Sequence, residues 1–152
     1  MKFSEAYTDH AYILSTDRRE TIKFKEPKEK REYIADNIHK RHVVRYKVDD
    51  GIITSKALQK CDFALYVEDD RVYFIEMKGS DYDHAIDQID STITILLEKP
   101  QLTAASINAR VVLSKARTPN MKTIREKKLN ARLKKLNGTL VKRTGKLIET
   151  ID

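Results

Sequence analysis

The sequence predicts an α/β domain with one mixed central β-sheet flanked by helices. Three observations support this prediction. Residues 62–67 and 71–78 are rich in aromatic and β-branched residues, as strands are, whereas residues 81–98 and 121–136 carry apolar residues at helical spacing. Strand-like and helix-like segments also alternate through the middle of the chain. A length of 152 residues suits one domain, and we expect residues 1–152 to form it.

Composition excludes several classes of protein. Charged residues make up 35% of the chain, above the usual value of about 25%. A single cysteine, Cys61, excludes an internal disulfide framework and a cysteine-rich zinc module. No apolar run approaches the roughly 18 residues of a membrane span, and the N-terminus lacks the apolar core of a signal peptide. These features predict a soluble, cytoplasmic protein with no membrane partner.

The first elements are predicted from local spacing and turn residues. After Pro27, a helix is expected from about Lys28 to His39. Its apolar positions are Tyr33, Ile34 and Ile38. A strand follows from Val43 to Val48, and it ends at a turn formed by Asp49, Asp50 and Gly51.

The centre of the chain predicts a β-hairpin. Its strands are Asp62–Val67 and Arg71–Lys78, separated only by Glu68, Asp69 and Asp70. Both strands are almost continuously apolar, which indicates a sheet that is covered on both faces. Gly79 ends the second strand.

Three further elements complete the prediction. A helix runs from about Asp81 to Glu98, with Ser80 or Asp81 as its N-cap, and Lys99-Pro100 ends it. A buried strand is expected at Ala109–Ser114 and a helix from Met121 to about Leu136. A last strand pair then turns at Gly145 as a terminal hairpin. We therefore expect a core at about 28–114 and a basic C-terminal extension at about 115–152.

The net charge of +7 is distributed unevenly. Between Arg110 and Lys146 lie thirteen basic residues and one acid, Glu126, so this segment carries +12 and the rest of the chain carries 7 − 12 = −5. Twelve uncompensated charges repel one another unless an anion neutralises them, and nucleic acid is the obvious polyanion. We expect phosphate contacts from Arg110, Lys115, Arg117, Arg125, Lys128, Arg132 and Lys135.

Three polar residues stand at the ends of the apolar hairpin strands. Glu76 and Lys78 are two apart on one strand, so their side chains share a face, and Asp62 begins the partner strand. A two-residue loop would place Asp62 opposite Met77, whereas a three-residue loop at 68–70 would place it opposite Glu76. We expect the three-residue loop. Two converging carboxylates and the Met77 carbonyl would then suit Mg²⁺ or Mn²⁺, although an ion pair with Lys78 explains the same pattern without chemistry.

An Asp at a strand start, a hairpin, Glu-x-Lys and a helix together resemble the PD-(D/E)XK nuclease superfamily. The resemblance lies in Lys60–Leu65, Phe74–Asp81 and the helix segment Ala85–Ile89, and it covers about residues 43 to 114. It implies a restriction-endonuclease-like α-β-β-β-α-β core, with the helix before residue 43 as its first element. Cys61 stands where the motif has proline.

The resemblance also implies an activity, which is hydrolysis of nucleic-acid phosphodiester bonds with Mg²⁺ or Mn²⁺. Asp62 and Glu76 would be metal ligands, Lys78 the catalytic lysine and Gln88 an orienting group. Many members carry an additional acid on the first helix, for which Glu29 and Glu32 are candidates.

Several alternatives stay open from the sequence. His84 lies four residues before Gln88, so it either lines the site along the same helix edge or faces solvent. DNA is the favoured substrate, with RNA not excluded. The chain could act as a homodimer or in a larger complex. The alternative to an enzyme is an inactive nucleic-acid-binding or protein-interaction module in a defence or repair complex.

Overall fold

The computed structural model describes residues 1–77, 81–114 and 123–152, and within them lie nine strands, three α-helices and one π-helical segment. The strands are β1 (Ile13–Asp17), β2 (Thr21–Phe24), β3 (Glu32–Asn37), β4 (Val43–Lys47), β5 (Phe63–Val67), β6 (Arg71–Glu76), β7 (Ser106–Leu113), β8 (Leu140–Thr144) and β9 (Lys146–Ile151). The helices are α1 (Phe3–Ala6), α2 (Tyr82–Ile93), which continues into a π-helical segment (Thr94–Glu98), and α3 (Ile124–Lys135).

The strands form two sheets. The main sheet has the order β1-β4-β5-β6-β7-β8, and the smaller sheet has the order β2-β3-β9. In the main sheet β1, β4, β5 and β6 pair antiparallel, whereas β6-β7 and β7-β8 are parallel. Parallel neighbours need crossover connections, which α2 supplies between β6 and β7 and α3 between β7 and β8. The predicted α/β class with a mixed sheet is therefore confirmed.

The main sheet is covered on both faces, as the apolar strands predict, but by different elements. Ala64, Phe74 and Val111 belong to a core shared with the helices. Leu65 and Ile75, on the opposite face, pack into a second core with the smaller sheet. The prediction of one central sheet flanked by helices needs a correction, because a second sheet covers the face of the main sheet opposite the helices.

The helix predicted at 28–39 is absent, and β3 occupies half of that segment. The spacing of Tyr33, Ile34 and Ile38 fits a helix, but Tyr33 and Ala35 point into the core in strand alternation, and Ile38 is 51% exposed. β3 pairs antiparallel with β2 and parallel with β9, more than a hundred residues away. Pairing with a strand so distant in sequence does not affect the local spacing of apolar residues. That spacing therefore predicted a helix where the chain forms a strand.

The predicted terminal hairpin is also wrong. The chain does turn at Gly145, which has a φ of 78°, a conformation that glycine adopts readily. However, β8 pairs with β7 in the main sheet, and β9 pairs with β3 in the smaller sheet. The basic C-terminal segment therefore contributes one strand to each sheet.

The remaining elements lie close to their predicted positions. The strand expected at 109–114 begins earlier, at Ser106, and the predicted helix at 81–98 is α2 together with its π-helical continuation. Asp81 caps α2 as expected, because its Oδ1 accepts a hydrogen bond from the His84 N–H at 3.1 Å. Within the described ranges, no helix is long and apolar enough to cross a membrane.

Candidate functional site

The β5-β6 hairpin places Asp62 opposite Glu76. Val67 pairs with Arg71 across a three-residue loop, and Asp70 in that loop has a φ of 71°, as loops of this length require. The same register pairs Phe63 with Ile75, so its next step pairs Asp62 with Glu76. The predicted three-residue loop and register are confirmed. Both carboxylates lie on the face covered by α2.

Two crossed hydrogen bonds tie these carboxylates to the ends of their strands. The Met77 N–H donates to Asp62 Oδ2 at 2.9 Å, and the Asp62 N–H donates to Glu76 Oε1 at 3.1 Å. Asp62 is 2% exposed and Glu76 is fully buried. Each carboxylate is therefore held in one orientation by backbone, as a preorganised ligand must be.

The donors at this point fit a hard divalent cation. Asp62 and Glu76 offer carboxylate oxygens, and the backbone carbonyl of Met77 follows directly after β6. In the part of the chain that is described, no group of three or more His, Cys, Asp and Glu side chains could hold a metal. Two carboxylates suit Mg²⁺, which keeps several waters and is commonly completed by substrate phosphate rather than by an all-protein cage.

Several predicted site residues lie outside the described residues. They are Lys78, Lys115 and Arg117. Lys78 follows directly after Met77, and the other two belong to the connection between β7 and α3.

Gln88 and the exposed His84 line one cleft, whose wall also includes Lys60, two residues before Asp62. The cleft measures about 270 Å³ and lies between α2 and the chain that precedes β5. Its lining residues are Asp49, Lys56, Ala57, Leu58, Gln59, Lys60, His84 and Gln88. Sequence reasoning missed Asp49, Lys56 and Lys60, although two lysines in a polar segment directly before Asp62 were a usable signal.

The cleft is joined to Asp62 by backbone hydrogen bonds. The Asp62 carbonyl accepts from the N–H groups of Val48, at 3.0 Å, and Asp49, at 3.3 Å. On the α2 side, Thr92 Oγ1 donates to the Gln88 carbonyl at 2.7 Å and accepts from the Cys61 N–H at 2.8 Å. These hydrogen bonds therefore fix both walls of the cleft to the backbone at Cys61 and Asp62.

Cys61 is a core residue and not a nucleophile. Its side chain is fully buried, and burial, reinforced by the charge of Glu76, raises the pKa of its thiol well above the usual value. A protonated, inaccessible thiol cannot attack a substrate.

A second polar cluster lies level with Glu76 in the main sheet, two strands away. Glu76 pairs with Val111, and Val111 pairs with Lys142 on β8, so Lys142 stands two strand spacings, roughly 10 Å, from Glu76. Lys142 Nζ is 2.8 Å from Glu126 Oε1, and the Tyr82 hydroxyl donates to the same oxygen at 2.6 Å. Burial, followed by the hydrogen bond to Glu126, raises the pKa of Tyr82. This cluster locks α2, α3 and β8 together.

Arg110 was predicted to contact phosphate, and the structure shows that it is an interior residue. It is 5% exposed and lies between the two sheets. Its Nε donates to Glu149 Oε2 at 2.7 Å, and its Nη1 donates to the carbonyls of Ala109 and Thr139 at 3.0 and 2.8 Å. A guanidinium held in this way is not a surface cation.

The other basic residues of α3 are either arginines paired with acids or exposed lysines. Arg132 bridges to α2 and the π-helical segment through Asp90 at 2.8 Å and Glu98 at 2.7 Å. Arg125 lies 3.4 Å from Asp87 but is 56% exposed. Lys128 and Lys135 are exposed, as are Lys127 and Lys134. The outward face of α3 is therefore a lysine surface, defined by Lys127, Lys128, Lys134 and Lys135.

The candidates for an additional acid lie in and beside the smaller sheet. Glu32, on β3, is paired with Lys23 at 3.0 Å and with Lys146 at 2.8 Å. Glu29 is paired with Arg31 at 2.8 Å. The expectation that either acid joins Asp62 and Glu76 depended on a helix at 28–39, which the structure replaces with a strand.

No protein-family model, curated protein or solved structure matches this chain. A function for it has to come from the chemistry of the site.

Proposed function

We propose that this protein is a metal-dependent nuclease of the PD-(D/E)XK type, which hydrolyses phosphodiester bonds in nucleic acid, with DNA as the favoured substrate. The observation that carries this proposal is the juxtaposition of Asp62 and Glu76 at the end of an otherwise apolar hairpin. Burying two carboxylates in a core costs free energy. Binding of a divalent cation together with a phosphate substrate would explain why both are placed there.

The order of elements around the pair supports the proposal. β4, β5 and β6 form an antiparallel meander, and α2 then crosses to β7, which is parallel to β6. This order agrees with the β-β-β-α-β part of the core that the resemblance implies, and the agreement supports the proposal. The helix expected before it at 28–39 is absent, so the proposal rests on the later elements.

The chain's residues divide the work of hydrolysis. Asp62 and Glu76 would hold Mg²⁺ or Mn²⁺, and the Met77 carbonyl would be a further oxygen ligand. When bound, the metal supplies an activated water and charge stabilisation at the phosphate. Lys78 neutralises charge at the scissile group, and Gln88 is an orienting group that positions the attacking water through its amide N–H. The lysine surface of α3 holds the substrate backbone without sequence preference.

The test is cleavage of labelled linear, circular and branched DNA, and of RNA, with and without Mn²⁺. Asp62→Ala, Glu76→Ala and Lys78→Ala should lose cleavage and keep nucleic-acid binding. Glu68→Gln is a matched control, because it removes a carboxylate at the opposite end of the same hairpin, where Glu68 forms an exposed ion pair with Arg18. Cleavage that survives EDTA or Glu76→Ala would overturn the proposal. Binding without cleavage under any metal would favour an inactive binding module.

A further inference from the structure

The cleft beside Asp62 is a preorganised polar site. Lys60 organises its outer wall, because its Nζ donates to the carbonyls of Ser55 and Leu58 at 2.9 and 3.0 Å and lies 3.7 Å from Asp49 Oδ1. An ammonium group that gathers two carbonyls and a carboxylate fixes the turn that carries Lys56. The wall is therefore built before any ligand arrives.

The groups that line the cleft suit a ligand that carries a negative charge and a hydrogen-bond donor. Lys56 and Lys60 outweigh Asp49, and His84 adds a donor from α2. Gln88 Oε1 is buried and has no hydrogen-bond partner among the residues that the structure describes. A buried amide oxygen without a partner is costly, and a turn of the Gln88 side chain towards the cleft would let a ligand donor remove that cost.

The size and position of the cleft limit what it can bind. Its volume of about 270 Å³ lies just below the roughly 300–1,000 Å³ of pockets that take drug-sized ligands, so it suits a single small polar unit. The cleft lies close to Asp62 along the chain, because its wall includes Lys60, two residues earlier, and Asp49, whose N–H donates to the Asp62 carbonyl at 3.3 Å. A chain held in the cleft would continue towards Asp62 and Glu76.

We infer that the cleft binds one nucleotide of the nucleic-acid chain, next to the phosphodiester that is cut. Its phosphate lies against Lys56 and His84, and its base donates a hydrogen bond to Gln88. Lys60 is a positioning residue that holds Lys56 in place. This inference rests on the proposed function, since it names how the substrate is held at that site.

The experiment measures the affinity of a fluorescein-labelled oligonucleotide by anisotropy in EDTA, where no metal-dependent cleavage can occur. Lys56→Ala and His84→Ala should each weaken binding about fivefold or more. Lys56→Ala should also reduce the slope of log affinity against log salt by about one. Lys99→Ala, an exposed lysine beyond the far end of α2, is the matched control and should bind like the parent protein.

Gln88→Leu separates base recognition from phosphate contact. It should weaken binding of the intact oligonucleotide and leave the affinity for an abasic oligomer of equal length unchanged. Equal loss for both oligomers, or for neither, would overturn the contact between Gln88 and the base. Parent-like affinity in Lys56→Ala and His84→Ala would overturn the cleft as the nucleotide site.

A separate cleavage assay with Mn²⁺ distinguishes this inference from the proposed function. Glu76-dependent cleavage together with parent-like binding by Lys56→Ala and His84→Ala would overturn the cleft inference and leave the proposed nuclease activity supported. Weakened binding in those variants, without cleavage by the parent protein under any metal, would overturn the proposed nuclease activity. It would support the cleft as a nucleotide-binding site. An absence of oligonucleotide binding by the parent protein would overturn the cleft inference as well.

Discussion

Replacing Arg110 by methionine should destabilise the protein without a specific effect on nucleic-acid binding. The variant loses the 2.7 Å ion pair with Glu149 and two hydrogen bonds to backbone carbonyls, in a layer where Arg110 is 5% exposed. It leaves Glu149 between the sheets with the Tyr33 hydroxyl, 2.6 Å away. Removing one partner of a buried ion pair costs about 3–5 kcal/mol, and we expect a loss in that range.

Urea unfolding followed by circular dichroism measures this loss. Lys128→Met is the matched control, since it removes an exposed cation of the same segment and should stay within about 0.5 kcal/mol of the parent protein. In a double-mutant cycle, Arg110→Met with Glu149→Gln should be more stable than Arg110→Met alone by about 1 kcal/mol or more. A loss below about 1 kcal/mol in Arg110→Met, accompanied by weaker DNA binding, would refute a structural role for Arg110.

Three further predictions concern other parts of the molecule. Lys128→Ala with Lys135→Ala should leave stability unchanged and reduce the salt slope of DNA binding by about two, and an unchanged slope would exclude the lysine surface of α3 from the interface. Hydrogen bonds from two lysines lower the pKa of Glu32 to about 2, below its value of about 4.3 in unfolded chains, so its contribution to stability is present above about pH 5 and disappears as the pH falls through 2. The stability difference between Glu32→Gln and the parent protein should therefore shrink in acid, and a difference that is constant with pH would contradict the pairing. Cys61 should react with a thiol reagent in urea and scarcely at all in the native state, and equal rates would contradict its burial.

The hairpin shows what local sequence predicts well. Its register follows from a three-residue loop between two apolar runs, and that register alone brings Asp62 to Glu76. α2 is predicted for a similar reason, because its apolar spacing and its cap at Asp81 are encoded within a dozen residues. These features decide where the candidate site lies.

The smaller sheet shows what local sequence does not contain. β3 pairs with β9 across more than a hundred residues of sequence, and the local sequence of neither strand predicts this pairing. The role of Arg110 depends on the same packing, because only the approach of β9 brings Glu149 beside it. The cleft at Lys56 is likewise formed by a loop and a helix edge that meet only in the folded chain.

The most direct test of the central proposal is Mn²⁺-dependent cleavage of DNA by the parent protein and by Glu76→Ala, with Glu68→Gln as the control. The proposal predicts cleavage by the parent and control proteins, its loss in Glu76→Ala, and equal DNA affinity for all three in EDTA. Cleavage by Glu76→Ala at the parent rate would contradict the proposal.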